Sequence, residues 1–99
     1  MIKIKVTKDI ISILGHANYD DYGKDIVCSA VSSVVMCSVE AVATFDETAI
    51  NINETKDRLD IIINKTDDTT SKLVSNMLKC LKEIEKQYPK NIQINDREE

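Results

Sequence analysis

The chain has one histidine, His16, and twelve residues further on a cysteine, Cys28. An imidazole can take the proton of a thiol and later return it to a leaving amine. The thiolate so formed is the reactive species. Cys28 stands near the expected start of a long apolar helix. A helix start gathers unpaired amides and partial positive charge, and both stabilise a thiolate. The same amides could hold the oxyanion of a tetrahedral intermediate. One short segment therefore offers a nucleophile, a base and a candidate oxyanion hole. Each part also has a plain reading. A cysteine in an apolar helix is commonly a core residue. A lone loop histidine is commonly a surface residue, and spacing does not establish contact.

Two neighbours bear on this pair. Asp25 lies one turn before Cys28 and can share a helix face with it. Its carboxylate would oppose thiolate formation at close range, unless it orients His16 or caps the helix at the amide of Val27 or Cys28. Ser32 lies one turn after Cys28, within hydrogen-bonding reach of such a site, or serves only as a small packing residue. Gly15 and Gly23 bracket the intervening segment, and Tyr19 and Tyr22 either line a groove or anchor it. Metal binding is a poor fit. His16, Cys28, Cys37 and Cys80 have no paired short spacing. Nine residues at about 100° each put Cys28 and Cys37 on opposite helix faces. Cys37 and Cys80 read as core residues. No phosphate loop, dinucleotide fingerprint or HExxH motif occurs, so no cofactor is expected.

Several elements must position these residues. Residues 2–6 alternate apolar and basic, as a half-buried strand does, and residues 10–14 form a second, β-branched strand. Together they suggest an opening hairpin. Residues 15–24 read as a polar loop, with Asp25 leading into an apolar helix that ends near Phe45, or with that helix beginning a turn earlier. That helix is apolar on most sides, so it should be covered on several faces, by a sheet and by a second subunit. Residues 49–53 and 59–64 give two further strands, the latter expected to be buried on both faces. A second helix follows, capped by Asp67, Asp68 and Thr69. Leu73, Val74, Met77, Leu78, Leu81, Ile84 and Tyr88 recur on it at helical spacing, and Pro89 ends it. Residues 91–95 form a last strand. The order ββαββαβ predicts a two-layer α+β domain spanning residues 1–99, a mixed sheet with two helices on one face.

Composition narrows the function classes. The 99 residues suit one domain, and 42% hydrophobic content supplies one core. Only 4% of residues are aromatic, so that core is aliphatic. The net charge of −4, with basic residues scattered among acids, argues against nucleic-acid binding and suits a basic partner. Three cysteines without a C-x-x-C pair point to a reducing cytoplasm. Residues 26–45 are about a bilayer long, but Glu40 and several Ser and Thr residues argue for a buried helix and no membrane span.

Gly15-His16-Ala17, followed by Tyr22-Gly23-Lys24-Asp25-Ile26-Val27-Cys28-Ser29-Ala30-Val31-Ser32, closely resembles the motif of the ribosomal-processing cysteine protease Prp family. The likeness extends over nearly the whole chain, to the closing Asn-Ile-Gln-Ile. It implies a bacterial enzyme, mostly of Firmicutes and relatives, that removes a short N-terminal extension from a large-subunit ribosomal protein. In that family the extension ends in a phenylalanine-containing motif. The resemblance assigns Cys28 as nucleophile and His16 as base, with Asp25 and Ser32 in support. Gly15, Tyr22 and Gly23 would frame a loop that moves on substrate binding. It also implies a homodimer. Ser29 and Ala30 depart from the residues usual after the cysteine, though both are small. Residues 18–21 differ in detail.

The sequence therefore predicts a cysteine endopeptidase working through an acyl-enzyme, with a ribosomal protein precursor as substrate. The rival reading is a non-catalytic ribosome-associated protein-binding module, suggested by the small, acidic, cofactor-free chain. A weaker third is a structural dimerisation domain.

Overall fold

The computed structural model describes residues 1–15 and 22–96, with the backbone alone for residues 22–25. The elements run β1 (Ile2–Val6), β2 (Ile10–Leu14), α1 (Tyr22–Phe45), β3 (Ile50–Glu54), β4 (Arg58–Ile63), α2 (Asp68–Gln87) and β5 (Ile92–Asp96). This is the expected α+β order. The five strands form one sheet in the order β3-β4-β2-β1-β5. Only β1 and β5 run parallel; the other pairs are antiparallel.

The alternation seen in the sequence sets the faces of this sheet. In β1, Ile2, Ile4 and Val6 are buried while Lys3 and Lys5 are exposed. The pairing register carries that pattern across the sheet: Ile4 opposes Ile13, Ile11 opposes Ile61, and Ile2 opposes Ile92. Both helices pack on this apolar face. Val27, Val31 and Val35 of α1, and Val74, Met77 and Leu81 of α2, join the strand residues in one aliphatic core. Asp67 caps α2, accepting bonds from the Thr70 amide at 3.2 Å and the Thr70 hydroxyl at 2.8 Å. These bonds hold the Asp67 carboxyl below its usual range.

Five expectations need correction. The first helix takes the earlier of the two starts that the sequence allowed, at Tyr22, so Tyr22, Gly23 and Lys24 belong to its first turn and not to a loop. Gly23 is tolerated there because the backbone-entropy cost of glycine weighs on helix interiors more than on helix ends. Asp25 is consequently the fourth residue of α1 and not its N-cap. The strands expected at 49–53, 59–64 and 91–95 are each displaced by one residue. In β4, Leu59 and Ile61 are buried while Asp60 and Ile62 are half-buried, because the helices cover only one sheet face. Finally, Cys37 and Cys80, read as core residues, are not fully buried. Within one chain α1 is covered along one side, which leaves its other faces open to a second subunit. Ile26, Met36 and Phe45 are 60%, 52% and 70% exposed, Cys37 is exposed, and Cys80 is half-buried. The stretch Ile26–Phe45 is long and apolar enough to cross a bilayer, yet its valines are built into the core of the sheet.

Candidate active site

Cys28 is the seventh residue of α1 and is half-buried against the core. Val27 and Val31 flank it and are buried, so packing against the sheet fixes the helix rotation at this level. None of the three cysteines is in a disulfide. The position of Cys28, two turns into the helix, revises the chemistry. Its amide belongs to the i→i−4 ladder, and the pull of the helix dipole fades beyond the first turn. Within α1 the amides without an intrahelical partner are those of Tyr22, Gly23 and Lys24. The helix start therefore does less for a thiolate at Cys28 than the sequence suggests, and a proton acceptor must do more.

Ser32 follows Cys28 by one turn, and Met36 follows Ser32 by one more, so the three lie along one ridge of α1. Ser32 is exposed. It borders a cavity of about 290 Å³ between α1 and the β3 end of the sheet. The floor is apolar, from Ile13, Val31, Val35 and Leu59, and the rim carries Met36, Ile52 and Glu54. Sequence reasoning missed this cavity. The pattern of residues 49–53 showed a strand but could not show which element lies beside it.

His16 lies outside the described residues, as do the side chains of Tyr22 and Asp25. Gly15 closes β2 with φ 77°, a left-handed conformation that favours glycine. Its amide donates to the Asp57 carbonyl at 3.3 Å, tying the end of β2 to the turn between β3 and β4.

A second polar cluster lies on the opposite sheet face. Ser12, only 7% exposed, sits directly across from Asp60 and donates to its carboxylate at 2.7 Å. The Arg58 guanidinium donates to the same carboxylate oxygen at 2.8 Å. Arg58 first, and the Ser12 hydroxyl second, hold Asp60 below its usual range. This closed network braces β2 against β4, and the sheet separates it from Cys28. Among the described residues, no group of three or more His, Cys, Asp or Glu side chains is arranged to hold a metal ion.

Comparison with known proteins decides the family. The family model described as cysteine protease Prp matches residues 1–93. The chain belongs to the cysteine protease Prp family. It is therefore a cysteine-type peptidase by descent. The ribosomal processing cysteine protease Prp of Mycoplasma genitalium is 35% identical over 98 residues, covering 97% of this chain and 96% of the relative. The Prp of Staphylococcus aureus (strain Mu50) is 34% identical over 94 residues, covering 92% of this chain and 87% of the relative. The crystal structure of the S. aureus Prp with a substrate peptide superposes with a TM-score of 0.89 at 28% identity. It covers 98% of this chain and all of that one. The resemblance read from the Gly15–Ser32 motif is confirmed at the level of family and fold.

Proposed function

We propose that this Prp-family chain is the endopeptidase that removes the N-terminal extension of a large-subunit ribosomal protein. The observation that carries the reading is the family match over residues 1–93, which spans His16 and Cys28 together. In this reading His16 takes the Cys28 proton. The Cys28 sulfur then attacks the scissile carbonyl, and His16 returns the proton to the leaving amine. Water, deprotonated by His16, hydrolyses the thioester, releases the new C-terminus and restores the thiol. Asp25 orients His16, and Ser32 supplies a hydroxyl beside the attacked bond. The phenylalanine-containing end of the extension fits the apolar cavity next to Ser32. The reaction takes place in the cytoplasm, where Cys28 stays reduced. Two copies associate through the uncovered apolar side of α1, on which Ile26 and Met36 are exposed.

The test uses a peptide spanning the extension junction of the host ribosomal protein, incubated with wild type, Cys28→Ala and His16→Ala. Cleavage by wild type that is lost in both variants is expected. Cleavage that persists in Cys28→Ala removes the nucleophile assignment. Tight binding without cleavage by wild type favours a binding module. Sedimentation velocity on wild type and Met36→Glu tests the dimer, which the charge should dissociate.

A further inference from the structure

The two edges of the sheet differ. At β5, the Ile94 amide donates to the Glu85 carboxylate at 2.8 Å, and Lys82 reaches Asp96 at 2.9 Å. Side chains of α2 therefore cover that edge. The other edge is β3. The Asn64 amide bonds the Ala49 carbonyl and the Thr55 amide bonds the Arg58 carbonyl, each at 2.8 Å. In an antiparallel ladder, bonded and non-bonded pairs alternate. With Ile52 opposite Ile61, Asn51 and Asn53 spend their main-chain bonds on β4. The amides and carbonyls of Ile52 and Glu54 point outward, and among the described residues nothing bonds to them. These same two residues place their side chains at the rim of the cavity beside Ser32.

An open strand edge and an apolar cavity thus share one border, and that border leads to Cys28. Phe45 ends α1 and Ile50 begins β3, so β3 runs back along α1 and its Glu54 end lies toward Cys28. We propose that the substrate peptide binds as an added strand on the free edge of β3, bonded to the main chain of Ile52 and Glu54, with an apolar side chain in the cavity. This rests on the peptidase reading and adds how the substrate is held and what sequence it needs. An added strand repeats the side-chain alternation of its neighbour. The peptide residue opposite Ile52 faces the cavity and must be apolar. Two residues away, the residue opposite Glu54 meets a carboxylate and favours a basic side chain. Ser32 lies about 6 Å along the helix from Cys28, or about two residues of extended chain. The cleaved bond therefore lies on the Glu54 side of the apolar anchor.

The test is an N-methyl scan of a fluorescein-labelled peptide spanning the extension junction, read by anisotropy with the Cys28→Ala protein. Methylation at alternate positions within the bound stretch should weaken binding by about tenfold, and the intervening positions should be tolerated. Glu54→Lys should reverse the preference between lysine and glutamate at the position two residues from the apolar anchor, by about threefold each way. An affinity indifferent to N-methylation, or no binding, overturns the added strand. Displacement of the peptide by a second copy of the chain, with loss of affinity as protein concentration rises, also overturns it. Cleavage of the unmodified peptide by wild type is measured separately. Cleavage with a flat scan leaves the peptidase standing and removes the strand. An alternating scan without cleavage does the reverse.

Discussion

The amide of Gly15 donates to the carbonyl of Asp57 across 3.3 Å. This bond fastens the last residue before His16 to the turn that joins β3 and β4. Gly15 holds φ 77°, where a Cβ costs roughly 1–2 kcal/mol. Gly15→Ala should therefore lower stability by about that amount in urea unfolding. Relaxation of the strain would also shift the point from which His16 departs. Peptide cleavage should fall on the order of tenfold at a temperature where the variant stays folded. Equal cleavage per folded molecule would mean that the exit geometry at Gly15 does not matter to the reaction.

Cys28 and Cys37 give a matched pair of substitutions. Both are on α1, but Cys28 is half-buried against the core and Cys37 is exposed. Cys28→Ala removes one sulfur from a partly packed site and should cost about 1 kcal/mol. Its cleavage rate should drop by about 10³-fold or more, as for the loss of a covalent nucleophile. Cys37→Ala should leave both properties near wild type. Inhibition by iodoacetamide should follow alkylation of Cys28 in peptide mass mapping, whatever the state of Cys37.

The sequence carried the fold because β1 and α2 each have a strong period and β2 is a short β-branched apolar run. Ile2, Ile4 and Val6 alternate, while Val74, Met77 and Leu81 follow the helical spacing, and each set is buried as expected. The start of α1 was harder to read. Gly23 and Asp25 look like loop and cap, yet a helix accepts both in its first turn. The one-sided burial of α1 was also hidden, since a helix apolar all round gives no sign of which side meets the sheet. For the site, the motif around His16 and Cys28 was legible from side-chain chemistry. The cavity was not, because Ile13, Ser32, Ile52 and Glu54 come from three elements whose adjacency depends on sheet order. The Ser12–Asp60 bond was invisible for the same reason: its partners are 48 residues apart.

The core itself should respond as a close-packed aliphatic interior. Ile61 of β4 is fully buried between its neighbours, opposite Ile11 on one side and Ile52 on the other. Ile61→Ala should cost about 2–5 kcal/mol in urea unfolding, from lost transfer energy and the void left behind. Ile10→Ala changes a 38% exposed side chain on the same sheet and should cost much less. A similar cost at both positions would contradict the assignment of the helix-covered face.

Acid should weaken the fold through a small set of carboxylates. Asp46 sits in the turn between α1 and β3. Its carboxylate accepts from the Lys65 ammonium at 2.7 Å and from the Thr48 hydroxyl and amide at 2.6 and 3.0 Å. Lys65 first, then Thr48, lowers its pKa from 3.8 to about 2. The folded state thus holds this proton less tightly than the unfolded chain does. A depressed pKa contributes stability that is complete above the unfolded value of 3.8, and it is lost as pH falls toward about 2. Asp60 and Asp67 are shifted in the same direction and add to the loss. Asp46→Asn keeps the side-chain shape but removes the titration. Its stability should be lower than wild type at neutral pH, and the gap should narrow as pH drops through that window. Urea midpoints measured from pH 6 to pH 2 check this. Parallel curves for wild type and variant would show that the Lys65–Asp46 pair is not coupled to folding. Added salt should shrink the neutral-pH gap, because both partners are partly open to solvent.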